Sequence, residues 1–484
     1  MIALSQLLPG LPSAIAVSGV CLDCREVQPG DAFLALSGRQ AHGLDFVETA
    51  LQRGASCVLF EPTLSGRPAP AQGARADFIE VPGLGLKLGE IGTRFYADPS
   101  AKLNVIGVTG TNGKTSFVQL LSAALSALGQ PAGSIGTLGT GLSGALTAQA
   151  RTTPDALGVQ RALAGLKAQG AQHVAIEVSS HALDQGRVNG VTFHTAVFTN
   201  LTRDHLDYHL TFEAYGLAKA LLFKWPGLRH VIVNIDDPFG RALISQIDPS
   251  VDVLRVGFGP SADARLHGLV LSASGLRFQL SGRFGELKLE SSLLGAFNAM
   301  NLAQVAVALH VLAIANADIE RAISALMPVN GRMNALSSHP LVVIDYAHTP
   351  DALEQALHAL RAHTHGALWL VFGCGGDRDA GKRAQMGAIA ERLADRICVT
   401  SDNPRSEDPG KIVADILSGF SAAGIAHVEL DRALAIARSV AAVQHGDALL
   451  IAGKGHETYQ EIAGQHLAFD DAAHARAALA LRAC

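Results

Sequence analysis

No stretch of this 484-residue sequence is apolar for long enough to read as a membrane span. The opening MIALSQLLPGLPSAIAVSG is apolar, but it lacks a basic n-region and carries prolines, so neither a signal peptide nor an anchor is expected. A cytoplasmic location with no membrane partner is the expectation. No dense Lys/Arg stripe occurs and the net charge is −5, which argues against a nucleic-acid partner. Cysteine is scarce: only Cys21 and Cys24 have CxxC spacing, and no second pair completes a zinc site. Reduced thiols in a strand-like run are expected there. Repeats and low-complexity tracts are also lacking. What is present is an apolar fraction of 48%, enough for large cores. The length suggests about three domains.

The most informative stretch is Asn104 to Gly129, NVIGVTGTNGKTSFVQLLSAALSALG. Asn104–Val108 is β-branched and reads as a buried strand. Gly107, Gly110 and Gly113 punctuate a tight loop. From Thr115 the period becomes helical: Phe117, Leu120, Leu121, Ala124, Leu125 and Leu128 recur at steps of three and four, and Gly129 ends the run. Strand, glycine-rich loop, Lys-Thr and helix form a phosphate cradle, because backbone N–H groups and the helix N-terminus converge on an anion. Lys114 would neutralise β/γ oxygens and the Thr115 hydroxyl would reach Mg²⁺. Val108 stands where a full Walker motif has its first glycine, so Gly110-Thr111-Asn112-Gly113-Lys114-Thr115 is a shorter variant. The loop indicates a nucleoside triphosphate without naming the reaction.

Elsewhere the chain alternates strand and helix patterns. Gly30–Leu36 and Ser56–Glu61 read as strands, with a helix over Asp45–Gly54 between them. The Pro/Gly/Ala-rich segment 62–76 reads as a surface loop, and Tyr96–Ser100 as a linker. His173–Ser180, Thr195–Asn200 and His230–Asn234 are continuous apolar runs suited to parallel strands buried on both faces. VLRVGFG and LRFQLSG read as antiparallel strands, followed by a helix over Asn298–Leu312. Leu341–Tyr346, Leu368–Gly373, Arg396–Asp402 and Ala448–Gly453 alternate with helices such as Asp351–Ala362 and Lys411–Phe420, a doubly wound α/β pattern.

Ligands gather at the carboxyl ends of strands in such sheets. Glu177 interrupts an apolar strand, and a buried carboxylate needs a partner, for which Mg²⁺ or a structural cation would serve. His205, in the segment after the next strand, is a candidate metal ligand. In FEAYGLAKALLF, Lys219 shares a helical face with Tyr215, Leu222 and Phe223. An ammonium there is costly unless it snorkels. A lysine of depressed pKa whose free amine adds CO₂ would instead present a carbamate.

In order along the chain stand GTNGKT, EVSSHALDQGRV, TNLTRDHLDYH, YGLAKALLF, LLGAFNAMN, GRMN, DYAHTPDALE, GCGGDRDAGKR, DNPR and GKGHETYQ. With these the chain resembles the Mur ligase family over essentially its whole length, in particular the diaminopimelate-adding branch. The resemblance implies an α/β fold of three domains: a UDP-substrate-binding domain (1–98), a central P-loop ATPase domain with a mostly parallel sheet (99–330), and a C-terminal Rossmann-like domain admitting the amino acid (331–484). It implies ATP-dependent addition of meso-diaminopimelate to UDP-N-acetylmuramoyl-L-alanyl-D-glutamate through an acyl phosphate, by a monomer in peptidoglycan precursor synthesis. It implies ATP contacts from Gly110, Thr111, Asn112, Gly113, Lys114, Thr115, Ser116, Asn298, Asn301, Arg332 and Asp345. The UDP-substrate would meet Leu22, Cys24, Arg39, Gln40, Ala41, Thr152, Thr153, Ser179, Gln185 and Arg187. Diaminopimelate would meet Arg378, Asp402, Asn403, Pro404, Arg405, Gly453 and Glu457. Lys114, Lys219 and His205 would be catalytic; Mg²⁺ would be associated with Thr115, Glu177, His205 and the carbamate of Lys219. Cys24 stands where the family usually has Ser, Asn334 replaces the Glu of GRME, and Leu210-Thr211-Phe212 replaces Gly-Thr-Met.

Two other readings remain at this point. Gly373-Cys374-Gly375-Gly376 follows a strand and is part of a dinucleotide fingerprint, which would make the chain an NAD(P)-dependent oxidoreductase, although the GxGxxG spacing is incomplete. Within the family, a lysine-adding ligase is the neighbouring possibility.

Overall fold

The computed structural model describes residues 1–38, 41–62, 76–272 and 274–482. Arg39, Gln40 and most of the segment read as a surface loop lie outside the described residues. The chain forms two compact units. The first comprises Met1–Val118, Leu125–Val233 and Phe239–Val253; the second comprises Gln119–Ala124, Asn234–Pro238 and Leu254–Cys484.

The first unit opens with a parallel sheet of Gly19–Cys21, Asp31–Ala35, Cys57–Phe60 and Asp77–Glu80, paired in that order. The two central strands are apolar without alternation because both faces are covered. Ala32 and Leu34 pack with Leu84, Leu88 and Ile91, while Phe33 and Ala35 pack with Leu44 and Ala50. The helix expected over Asp45–Gly54 is a 3₁₀ turn, Gly43–Phe46, followed by a shorter α-helix, Val47–Gln52. The His42 ring accepts from Leu44 N and opens the turn.

A second sheet in this unit runs Ala145–Thr147, Gly139–Leu142, Ala132–Gly136, His173–Glu177, Asn104–Thr109, Thr195–Phe198 and His230–Asn234. From Ala132–Gly136 onward the pairing is parallel. Register aligns Glu177 with Val108 and Phe198 with Thr109, so three strands end side by side. The run expected as a strand to Ser180 stops at Glu177, because Ser179 Oγ accepts from Ala182 N and starts the helix Ser180–Asp184.

Gln160, on the helix Ala156–Ala168, is fully buried, and neither its Oε1 nor its Nε2 meets a partner among the described residues. An unsatisfied buried amide costs about 1–3 kcal/mol. Gln160→Leu is therefore expected to raise the midpoint of thermal unfolding; a fall in a melting experiment would show that the amide is satisfied in solution.

In the second unit, Ala264–Ser272, Gly275–Gly282 and Gly285–Ser291 form an antiparallel meander. The segment VLRVGFG, expected to be antiparallel, pairs in parallel with Ala264–Ser272 through Val256 and Gly257. The chain makes no hairpin there: Asp263 accepts from Arg255 N and Arg255 Nε, which pins a short crossover instead. The helix Ala296–Val311 is buried along nearly its whole length.

A further sheet in this unit has the order Asn334–Ser338, Leu341–Asp345, Ala448–Ala452, Leu368–Phe372, Arg396–Val399 and His427–Val428, parallel except for its first pair. The helices Pro350–Arg361, Gly381–Leu393 and Pro409–Leu417 pack on one face. Arg432–Ala442 and Asp471–Arg482 pack on the other, as a doubly wound sheet requires. Arg432 and Asp471 form a fully buried ion pair, with Arg432 Nη2 2.6 Å from Asp471 Oδ2. Arg432 also donates to the carbonyls of Ser401 and Ala452, at the ends of two strands. The hairpin Tyr459–Ile462 with Gln465–Ala468 was not anticipated from sequence. Among the described residues no helix is long and apolar enough to cross a membrane.

Candidate active site

In the first unit the strand Asn104–Thr109 runs through Gly110–Gly113 into the helix Lys114–Ala127. Gly110 (φ +151°) and Gly113 (φ +86°) hold backbone conformations that favour glycine. A Cβ on Gly110 would run into Thr199 Oγ1. The segment after the strand Thr195–Phe198 clamps the loop: Thr111 N donates to Asn200 O and Asn112 N to Asn200 Oδ1, while Thr199 Oγ1 donates to Asn112 O. The loop is thus fixed by its neighbour, and the first-turn N–H groups of the helix form the anion-binding end.

Two lysines converge on this loop. Lys114 Nζ donates to Gly110 O and Thr111 O, each at 2.8 Å. Lys219 Nζ donates to the same Gly110 O at 2.8 Å and lies 4.4 Å from the Tyr215 ring centroid. Lys219 is only 1% exposed. Burial, with Lys114 adding repulsion, holds its ammonium well below the usual lysine range, and Asp204 opposes weakly. The snorkelling alternative is thereby excluded: the amine points inward.

Thr115 Oγ1 donates to Glu177 Oε2 at 2.9 Å. Glu177, 1% exposed, also accepts from Thr137 N at Oε1 and from Thr137 Oγ1 at Oε2. No cation of the protein pairs with that carboxylate in any ion pair found among the described residues. Ser116, next on the helix, is buried. Oxygen donors of this kind fit a hard cation such as Mg²⁺, which keeps waters and substrate phosphates as its remaining ligands. His205 sits apart from Glu177 in its contacts. It has φ +52°, its Nε2 lies 3.4 Å from Asp204 Oδ2, and its ring meets His181 edge-on. Burial lowers the His205 pKa, Lys114 and Lys219 add to this, and Asp204 opposes it. His181 is pushed down to about 4, first by burial and then by His205 and His209. Among the described residues no group of three or more His, Cys, Asp or Glu side chains is arranged to hold a metal.

The residues expected to hold the UDP-linked substrate fall into two groups. Thr152 Oγ1 lies 3.1 Å from Thr137 Oγ1, and Thr153 Oγ1 donates to Glu177 O. Ser179 Oγ is 3.4 Å from Thr153 Oγ1, Arg187 donates to Gln185 Oε1 and Thr153 O, and Gln185 Nε2 donates to Tyr208 Oη. These side chains therefore adjoin the Glu177 end of the strand. Leu22 and Cys24 lie beyond the end of the strand Gly19–Cys21, and Cys24 is a free, partly exposed thiol. Ala41 O accepts from Gly38 N, and its two expected companions Arg39 and Gln40 are outside the described residues.

In the second unit Asn298 and Asn301 are buried in adjacent turns, with Asn301 Nδ2 donating to Asn298 Oδ1. The Arg332 guanidinium lies 4.6 Å from the Tyr346 ring centroid, with its Nε buried and unpartnered among the described residues. Asp345 accepts from Met333 N and Ala347 N, and burial raises its pKa against the pull of Arg332.

The expected amino-acid residues gather at strand ends of the C-terminal sheet. Asn403 Nδ2 donates to Glu457 Oε2 at 2.8 Å. Arg405, at φ +53°, donates through Nε to Glu461 Oε2 and through Nη1 to Gly376 O. Asp402 packs against Gly453, where a Cβ would strike its carboxylate. Gly376 N donates to Asn403 O, and a Cβ there would strike Pro404 O. Arg378 is exposed at the neighbouring loop. Gly373 and Gly376 have a local packing reason of their own, since a Cβ at either would strike Thr400 O or Pro404 O of the same chain, so the glycines do not need a dinucleotide to explain them. Sequence reasoning missed Thr137, Lys454 and Glu461 as partners of these groups; Lys454 and Glu461 lie in or beside the GKGHETYQ motif, whereas nothing local signals Thr137.

A parallel sheet feeding a clamped glycine loop, a Lys-Thr helix start and a buried carboxylate on that threonine defines a nucleoside-triphosphate-using α/β protein. Family models agree and narrow the class. The Mur ligase family catalytic domain matches residues 16–96, the Mur ligase middle domain 108–309, and the Mur ligase glutamate ligase domain 331–455. The UDP-N-acetylmuramoyl-L-alanyl-D-glutamate–2,6-diaminopimelate ligase of Xanthomonas campestris pv. campestris (strain 8004) is 54% identical over 485 residues, covering 99% of this chain and 97% of that protein. The ligase of the same name from Ectopseudomonas mendocina (strain ymp) is 50% identical over 482 residues, covering 99% and 98%. A solved structure of a ligase of that name superposes with a TM-score of 0.74 at 37% identity, covering 100% of this chain and 99% of the other. A MurF ligase from Thermotoga maritima in complex with ADP, at 16% identity and TM-score 0.65 with 97% and 98% covered, shares the fold. The chain belongs to the Mur ligase family. It is an ATP-dependent, ADP-forming ligase.

Proposed function

We propose that the protein joins meso-2,6-diaminopimelate to the D-glutamyl γ-carboxylate of UDP-N-acetylmuramoyl-L-alanyl-D-glutamate, in peptidoglycan precursor synthesis in the cytoplasm. The observation that carries this reading is the Arg405 side chain at the carboxyl edge of the C-terminal sheet, oriented by Glu461 and Gly376 O. The near full-length likeness to ligases named for the same amino acid supports it. We divide the chain into a UDP-substrate domain (1–98), an ATPase domain (99–330) and an amino-acid domain (331–484), acting as a monomer.

In the first step an oxygen of the γ-carboxylate attacks the γ-phosphorus of ATP, the bond to the ADP oxygen breaks, and an acyl phosphate forms. In the second, the diaminopimelate amine attacks the acyl carbon, phosphate leaves with the C–O electron pair, and the amine loses a proton. The protein supplies position and fixed charge. The loop Gly110–Ser116 holds the phosphates, Lys114 turns from Gly110 O to phosphate oxygen, and Asn298, Asn301, Arg332 and Asp345 contact the nucleotide. Thr115, Glu177, His205 and a carbamate on Lys219 would hold Mg²⁺, which when bound supplies neutralisation of triphosphate charge. The carbamate arises when the neutral Lys219 amine adds CO₂ and releases a proton. Thr152, Thr153, Ser179, Gln185, Arg187, Leu22, Cys24, Arg39, Gln40 and Ala41 hold the UDP-linked substrate. Arg378, Asp402, Asn403, Pro404, Arg405, Gly453 and Glu457 hold diaminopimelate.

Diaminopimelate differs from lysine by a distal carboxylate, which Arg405 can grip. Arg405 is 20% exposed and keeps Glu461 as a partner, so losing the distal carboxylate forfeits a charge-assisted hydrogen bond, about 1.5–3 kcal/mol, and discrimination against L-lysine should span roughly one to two decades. Phosphate release with the UDP-dipeptide and each amino acid tests this. Arg405→Ala should erase most of the preference. Equal kcat/KM for the two amino acids in the unaltered enzyme would refute the assignment.

A further inference from the structure

Lys454 takes part in none of the steps above, yet it is 0% exposed. Its Nζ donates to Asn403 Oδ1 at 2.9 Å and to Glu457 Oε2 at 3.3 Å. A third direction faces the Tyr459 ring, with 5.6 Å to the centroid. A buried lysine amine with these partners is positioned from all sides, which is unusual for a side chain with four rotatable bonds.

The neighbouring groups make the consequence specific. Asn403 Oδ1 receives two donors, Lys454 Nζ and Glu461 N at 3.0 Å. Both are obligate donors here, so the amide of Asn403 has only one orientation available: Oδ1 toward them and Nδ2 toward Glu457. Glu457 Oε2 then receives Asn403 Nδ2 at 2.8 Å and Lys454 Nζ. That oxygen takes both bonds, while Oε1 takes no hydrogen bond among the described residues on a side chain that is 20% exposed. Lys454 thus sets the direction in which both side chains present hydrogen-bonding groups. Being buried, it cannot touch a bound amino acid itself.

We propose that Lys454 is the positioning residue of the amino-acid subsite, fixing the Asn403 amide and the Glu457 carboxylate so that together they receive the ammonium and backbone groups of the incoming diaminopimelate. This rests on the functional reading above and deepens it. Lys454 acts through two other residues, so its loss should weaken amino-acid binding without touching the ATP-dependent first step.

The test is steady-state kinetics of Lys454→Met, whose side chain has similar length and no donor. KM for diaminopimelate should rise about 10- to 100-fold, as expected for losing hydrogen bonds to a charged group. KM for ATP and for the UDP-dipeptide, and acyl-phosphate formation without amino acid, should stay as in the unaltered enzyme. In a Glu457→Gln background the Lys454→Met step should cost much less, because the charge that Lys454 holds is already gone. A general structural role would lower all parameters alike and give additive effects, and either result overturns the proposal. Should Lys454→Met fail to fold, Lys454→Gln keeps a donor toward Asn403 and still removes the partner of Glu457; an unaltered diaminopimelate KM in that variant also overturns it. Absence of diaminopimelate-dependent turnover in the unaltered enzyme would instead reject the functional reading.

Discussion

Lys219→Ala is expected to lower turnover by at least about a hundredfold, and a short-chain carboxylic acid in the buffer should restore part of the loss. The side chain is buried with its nitrogen 2.8 Å from Gly110 O, against the phosphate loop. As an ammonium it would set a second positive charge beside Lys114, in a place that water does not reach. As a carbamate it would carry a negative charge instead, and could support Mg²⁺ beside the phosphates. The sign of the pKa shift favours the second form. Only the neutral amine adds CO₂, and burial lowers the pKa, so that amine persists to lower pH than for an ordinary lysine. Activity at limiting CO₂ should therefore persist to lower pH than an ordinary lysine would allow, and fall as pH drops through the depressed value. The chemically rescued alanine variant should lack that limb. Full activity of unrescued Lys219→Ala would reject the carbamate.

Lys114→Ala should reduce acyl-phosphate formation by about a thousandfold, measured without the amino acid so that only the first step is read. The Lys114 amine reaches two loop carbonyls, at 2.8 Å each, from the first turn of the helix that follows the loop. Lys114 is the first residue of that helix, at the N-terminus where charge on the transferring phosphoryl group would develop. At the same carbonyl stands Lys219, which under the carbamate proposal would carry the opposite charge. A rate unchanged from the parent would contradict the assignment, and a selective rise in ATP KM would make Lys114 a binding group alone.

The sequence disclosed these two lysines for different reasons. Lys114 stands in a motif whose local pattern, β-branched strand, glycines and helical period, implies its own geometry. Lys219 was visible only as a polar residue on an apolar helical face, and its bond to Gly110 O joins positions 109 residues apart, which periodicity cannot report. Glu177 stood out as a carboxylate inside an apolar strand, but its partner Thr137 did not, because an ordinary threonine at a strand end carries no signal. The buried parallel strands were legible from their continuous apolar runs. The pairing of Asp252–Gly257 was not, because an ion pair between Arg255 and Asp263 decided it rather than alternation. The hairpin Tyr459–Ala468 was missed because its strands are only four residues long and the second is exposed, with a polar composition typical of loops.

The buried Arg432–Asp471 pair gives the amino-acid subsite a modular character. Arg432 grips Ser401 O and Ala452 O, the residues immediately before Asp402 and Gly453. The two segments that present recognition groups are thus bolted to a common frame from behind, by contacts that involve none of the recognising side chains. An engineer redirecting the proposed subsite to another amino acid can vary Arg405 first, while Asn403 and Glu457 change only together with the buried Lys454 they hold. Arg432 and Asp471 form the chassis, to be left untouched in any library.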